Sequence, residues 1–125
     1  MQMVLAIAAG GALGAVSRHY AAGYVFRAFG HGFPYGTFVV NVVGSLLMGL
    51  LITAFAVKFQ TSQELRGFLT VGLLGGFTTF STYSLETAML IERGDWTGAA
   101  IYAFGSLALG LAALFIGIWL GRILI

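Results

Sequence analysis

Cysteine is absent from the 125 residues, and proline occurs once. Without thiols there is no disulfide staple, no thiolate metal site and no cysteine nucleophile. Charge is the second scarcity. Asp, Glu, Lys and Arg make up 8% of the chain, against roughly 25% in an ordinary soluble domain. So little charge cannot cover a surface in water, which argues against a soluble enzyme, a disordered segment or a nucleic-acid binder. Six basic and four acidic groups leave a net charge of +2, too little for a nucleic-acid footprint. No basic group precedes the first apolar stretch, Met1-Gln2-Met3-Val4-Leu5-Ala6-Ile7. That stretch is therefore expected to be a permanent span rather than a cleaved signal.

What is plentiful is apolar surface: 59% of residues are hydrophobic and mean hydropathy is +0.97. A bilayer is the solvent that suits such a composition. Charge-free intervals predict an all-α membrane protein, a single four-helix transmembrane domain over residues 1–125. Its spans fall at about 4–29, 36–57, 65–92 and 97–122, each long enough at about 20 residues to cross the hydrocarbon. The stretch Gly30-His31-Gly32-Phe33-Pro34-Tyr35-Gly36 reads as a loop from its glycine and proline punctuation. Lys58 to Arg66 is a polar loop, and Glu92-Arg93-Gly94-Asp95-Trp96 is a turn, with Trp96 suited to the headgroup level.

Four spans place Lys58, Arg66 and Arg122 on one side and Arg18, Arg27 and Arg93 on the other. Excess Lys and Arg on one side normally fixes orientation, and here the tally is level. Chance gives such a tie in a small sample. The alternative is a chain that inserts both ways and pairs antiparallel with itself.

The spans carry narrow polar or small-residue stripes. Ala6, Gly10, Gly14 and Arg18 recur every fourth residue in span one, a spacing that stacks them on one helix face. The glycines suit close packing in lipid. Arg18 on the same seam is costly and is expected either to face protein or a wet vestibule, or to snorkel to the interface. Thr37, Asn41 and Ser45 share a face of span two, and Tyr102, Ser106 and Gly110 a face of span four. Each stripe is either glue between helices or the wall of a wet path.

Span three contains Gly75-Gly76-Phe77-Thr78-Thr79-Phe80-Ser81-Thr82-Tyr83-Ser84. A glycine pair followed by β-branched threonines makes a poor helix interior, and the crowded hydroxyls compete for backbone hydrogen bonds. A break is expected over 75–79. At 1.5 Å per residue it lies about 16 Å from Leu65 and about 20 Å from Glu92, near the bilayer midplane. Unwound backbone at that depth must be buried in protein or line a cavity. Freed carbonyls there can hold a small cation, and a half-helix N-terminus favours an anion.

The run from Gly75 to Thr87 resembles the signature of the Fluc (CrcB-type) fluoride channels of bacteria. So do Gly14 to Arg18, Gly36 to Asn41, and Tyr102 with Ser106. The likeness covers essentially the whole chain. It implies an antiparallel, dual-topology homodimer of four-span subunits, multi-pass in the bacterial inner membrane, with two fluoride pores and passive export of cytoplasmic fluoride. It implies a structural Na⁺ on the dimer axis, held by the backbone carbonyls matching Gly75 and Thr78. Phe80 and Tyr83 match the pore-lining aromatics, the second being usually Phe. Asn41, Tyr102 and Ser106 match pore-side polar residues. Arg18 matches a vestibule arginine and Glu86 the glutamate after the motif; Thr37, Thr79, Ser81 and Thr82 fall on the same vestibule and polar track. The implied partners are fluoride, a second copy of the chain and the lipid bilayer.

The chemistry suits that anion on its own terms. Fluoride is small and strongly hydrated, so neutral Thr, Ser, Asn and Tyr donors can replace its water without trapping it as a lysine would. The phenol of Tyr83 adds a donor and one oxygen of bulk, so it could either bind the ion or slow it. Two other readings compete with a channel. A small dual-topology, proton-coupled multidrug exporter would use a carboxylate deep in span one, where this chain has none. A non-conducting structural subunit would use every polar stripe as glue. His19 and His31 have no acid partner or nucleophile at useful spacing and read as interfacial polar residues rather than catalysts.

Overall fold

A computed structural model describes residues 1–125. The chain is helical throughout, with no strand: α1 (Gln2–Phe29), α2 (Tyr35–Val57), α3 (Gln63–Arg66), a π-helical stretch (Gly67–Leu74), α4 (Gly75–Phe77), α5 (Phe80–Glu92) and α6 (Trp96–Leu124). These form four rods, the third assembled from the pieces between Gln63 and Glu92. At 1.5 Å per residue α1, α2 and α6 run about 42, 34 and 43 Å, longer than a hydrocarbon core of about 30 Å. Two of them, α2 and α6, are apolar enough as well as long enough to cross a membrane. The surface agrees: Phe104 is 72% exposed and Trp119 59%, large apolar groups that water would expel and lipid would not.

Local chemistry sets the ends. Ser62 caps α3 by accepting from the Leu65 N–H at 3.2 Å, and Asp95 caps α6 by accepting from the Gly98 N–H at 2.9 Å. Such caps satisfy one of the donors every helix start leaves free. Gly30 ends α1 at φ 92°, and Gly94 turns the chain at φ 82°, a region that favours glycine. Arg66 closes the other end of the molecule, donating to the Phe55 carbonyl at 3.3 Å with its guanidinium over the Phe55 ring.

The rods pair by small residues. α1 packs along the third rod and α2 along α6. A Cβ built on Gly117 would press on the Leu46 carbonyl and lie 3.1 Å from the Gly49 Cα; one on Gly72 would lie 2.8 Å from the Ile7 carbonyl and 2.9 Å from the Gly10 Cα. Without a hydrophobic force between helices in lipid, such close backbone approach is what holds them. The seam read from Gly10 and Gly14 is therefore a packing seam, and both glycines are buried in it.

The third rod departs from expectation in two ways. First, the break is narrower and later than 75–79. Gly75 to Phe77 remain helical; the extended residues are Thr78 (φ −88°, ψ 158°) and Thr79 (φ −152°, ψ 124°). The glycine pair does not unwind the helix. Gly76 lets it approach α1, since a Cβ there would lie 2.7 Å from the Gly11 carbonyl. The threonines carry the break, as β-branching and side-chain competition for the backbone would have it. Second, the turns before it are π-helical from Gly67 to Leu74, a widening found mostly at functional sites.

Candidate functional site

Everything of interest gathers on the break. Once Thr78 and Thr79 leave the helix, their polar backbone needs partners. Asn41 on α2 supplies both for Thr79. Its Oδ1 accepts from the Thr79 N–H at 2.8 Å and its Nδ2 donates to the Thr79 carbonyl at 3.0 Å. An amide is the one neutral side chain that can face a peptide group in this two-way manner. From α1, Arg18 donates to the Thr78 carbonyl at 3.2 Å. Arg18 thus points into the protein rather than toward the headgroups. The Thr78 hydroxyl donates back to the Leu74 carbonyl at 3.0 Å. Thr79 caps α5 by accepting from the Thr82 N–H at 3.2 Å, and its hydroxyl lies 3.2 Å from that of Thr82 and 3.4 Å from that of Ser81.

One turn further along α5, Glu86 meets two of the stripes. The Thr37 hydroxyl donates to its carboxylate at 2.7 Å and the Tyr102 phenol at 3.3 Å. Span two and span four therefore converge on the third rod. Tyr102 has no exposed surface at all.

Two cavities, each of about 540 Å³, adjoin these residues. The first opens beside the α1–α2 loop and is walled by Arg18, His19, His31, Thr37, Glu86 and Arg93. The second is walled by Asn41, Ser45, Phe80, Tyr83, Ser106 and Leu107, among others. Thr79 belongs to both walls. The broken segment thus borders both. Gly75 and Ser81 are exposed on the flank of the break, and Phe80 is 78% exposed.

Most residues singled out from sequence meet here. Arg18 and Asn41 bond the backbone of Thr78 and Thr79, and Thr82 bonds Thr79; Thr37 and Glu86 form a separate bonded group with Tyr102; Ser45, Phe80, Tyr83 and Ser106 share the second cavity. The Ser106 hydroxyl is buried with no hydrogen-bond partner, a group that wants an acceptor or donor from elsewhere. Gly110 lines the same wall. His19 and His31 line the first cavity, a placement their isolated positions in the sequence did not suggest. Arg93 ties the α1–α2 loop down through the Gly32 carbonyl at 2.6 Å, a strap with no signal in spacing.

The Tyr83 phenol is not a free donor: it donates to the Ala103 carbonyl of α6 at 2.7 Å. Its ring stacks at a tilt on Phe80 and on Tyr102, with centroids 5.6 and 5.4 Å apart. Tyr83→Phe should therefore cost stability about 1 kcal/mol, the worth of one hydrogen bond, a loss that thermal denaturation in detergent measures.

Known proteins resemble the chain over most of its length. Residues 5–118 match the model of the family described as CrcB-like protein, Camphor Resistance (CrcB). A protein of Chelativorans sp. (strain BNC1), named fluoride-specific ion channel FluC, is 48% identical over 122 residues, which are 98% of each chain. One of the same name from Nitrobacter winogradskyi is 50% identical over 97% of this chain and 96% of its own. Another, from Rhodopseudomonas palustris (strain BisB5), is 51% identical over 90% of this chain and 91% of its own.

Proposed function

The chain belongs to the CrcB-like family, and from that premise we propose that it is a channel that lets fluoride leave the cell passively. The observation that carries this reading is the pair of cavities that share Thr79, each walled by side-chain and backbone groups that can donate hydrogen bonds. Arg18 and Arg93 in the first cavity draw an anion inward. Beyond the break the wall is neutral. Asn41 spends one amide N–H on Thr79 and keeps a second; Ser106 keeps its whole hydroxyl. The ring edges of Phe80 and Tyr83 add a weak positive field that attracts without trapping. Ion passage needs binding strong enough to enter and weak enough to leave.

One chain alone leaves this corridor open on its flank. Lipid cannot satisfy the exposed backbone beside Gly75 and Phe80, so the flank calls for a cover of protein. An inverted second copy is the reading we favour. The level tally of basic residues lets the chain insert both ways, and a two-fold axis through the break would set one corridor on each side, two per dimer. The inner membrane of a bacterium is the setting this implies.

A structural Na⁺ suits the same place. The Thr79 N–H, which a continuing helix would have turned to the Gly75 carbonyl, is engaged by Asn41 instead. That leaves the Gly75 carbonyl free beside Thr78, whose own carbonyl has a lone pair beyond the one Arg18 uses. Unwound carbonyls of this kind are suitable ligands for Na⁺ in membranes. Gly75 and Thr78 would hold the ion, the inverted copy would bring the matching pair, and the charge would pin two broken helices together.

Proteoliposomes loaded with fluoride and diluted into fluoride-free buffer test the reading with a fluoride electrode. Fluoride should escape without any proton gradient while chloride stays inside. Release that depends on a proton gradient, or none above protein-free vesicles, would overturn it.

A further inference from the structure

The α1–α2 loop looks remote from the corridor, yet it is joined to it through rings. Starting at the loop, Phe29 lies 5.5 Å from Tyr35, Tyr35 4.9 Å from Phe33, and Phe33 5.4 Å from Tyr102. Tyr102 lies 5.4 Å from Tyr83, and Tyr83 5.6 Å from Phe80. The ladder runs unbroken from the end of α1 to the exposed Phe80 at the break.

Phe33 is the only rung that stands on the loop and touches the fully buried Tyr102. Its ring meets that of Tyr102 at 88°, the edge-to-face arrangement aromatic pairs prefer. It packs on the small core of Leu90, Ala99 and Tyr102. The loop under it is held: Arg93 grips the Gly32 carbonyl, and Pro34 opens α2 directly after. Tyr102 in turn has two duties. Its phenol reaches Glu86 at 3.3 Å, at the outer edge of a hydrogen bond, and its ring backs Tyr83. A contact that long is weak and lost on a small displacement.

We propose that Phe33 is a positioning residue for ion passage: it wedges Tyr102 so that the phenol stays on Glu86 and the ring stays behind Tyr83. The idea rests on the fluoride-channel reading for its effect on flux, but the wedge itself is a statement about the ring of Tyr102. Removing the Phe33 ring opens a ring-sized space beside Tyr102 and lets the phenol swing off the carboxylate. A residue that merely stabilised the loop would leave the Tyr102–Glu86 pair where it is.

The test uses the full chain carrying 3-fluorotyrosine at its five tyrosines, with the Tyr102 signal assigned by its loss in Tyr102→Phe. In Phe33→Leu the Tyr102 fluorine resonance should shift or broaden, and in Phe33→Tyr, which restores a ring, it should return. Fluoride flux should fall about fivefold in Phe33→Leu, the equivalent of one edge-to-face pair, and recover in Phe33→Tyr. Phe33→Leu added to Tyr102→Leu should cost nothing more, because the two act through one side chain. Phe33→Met provides the same comparison if the leucine variant does not accumulate. A Tyr102 resonance indifferent to residue 33, or losses that multiply in the double variant, would overturn the proposal. A parent protein that passes no fluoride would instead remove the channel reading and leave the fluorine signal to decide the wedge.

Discussion

Asn41→Leu is expected to lower fluoride flux by about two orders of magnitude. The variant removes the partners of both Thr79 backbone groups, the acceptor at 2.8 Å and the donor at 3.0 Å. Each polar group left buried and unpaired costs about 1–3 kcal/mol, and tenfold in rate corresponds to about 1.4 kcal/mol of barrier. A hundredfold fall corresponds to about 2.8 kcal/mol of barrier, which loss of the Thr79 clamp together with the amide donor Asn41 offers a passing ion would supply. Asn41→Asp separates the two ends of the amide. It keeps an oxygen for the Thr79 N–H, gives up the donor to the Thr79 carbonyl, and sets a negative charge where an anion must pass. It should fold better than the leucine variant and conduct as poorly. Liposome flux of the two variants within threefold of the parent would show that the clamp is dispensable.

Gly117→Val is expected to reduce the yield of monodisperse protein more than tenfold. Extra carbon in a packed core costs about 1–3 kcal/mol when neighbouring side chains can yield. At Gly117 the neighbours are the Leu46 carbonyl and the Gly49 and Leu50 backbone, which cannot yield without parting α2 from α6. Those helices carry Asn41 and Tyr102 respectively, so the site would come apart with the crossing. Gly105→Ala is the control, because a Cβ there meets nothing within 4 Å; it should express and elute as the parent does. Equal elution and melting of Gly117→Val and the parent would remove small-residue crossing as the reason the rods pair.

The pattern of the chain carried much of this. Charge-free intervals placed the four rods to within a few residues, and fourfold spacing put Gly10, Gly14 and Arg18 on the face that meets the third rod. Thr37 and Asn41 were legible as one polar stripe. The break was legible in kind but not in place. The glycine pair and the threonines were read as one weak stretch, whereas Gly76 serves helix contact and only Thr78 and Thr79 unwind. Propensity measures how badly a residue suits a helix, and it is blind to a neighbour that rewards a missing side chain. The π-helical turns escaped for the same reason: nothing in Gly67 to Leu74 departs from an ordinary apolar helix. The Tyr83 phenol could be read as ligand or obstacle from sequence, and the Ala103 carbonyl that engages it lies 20 positions away. Phe33 read as loop, since no spacing rule links it to Tyr102.

The central claim is that the broken third rod borders a donor-lined passage for fluoride. Current through a planar bilayer containing the purified chain tests it most directly, with fluoride tenfold higher on one side and chloride balancing the other. The account predicts a reversal potential near the fluoride equilibrium value, about 59 mV for a tenfold ratio of a singly charged ion. Reversal at the chloride equilibrium value, or no current above the bare bilayer, would contradict it.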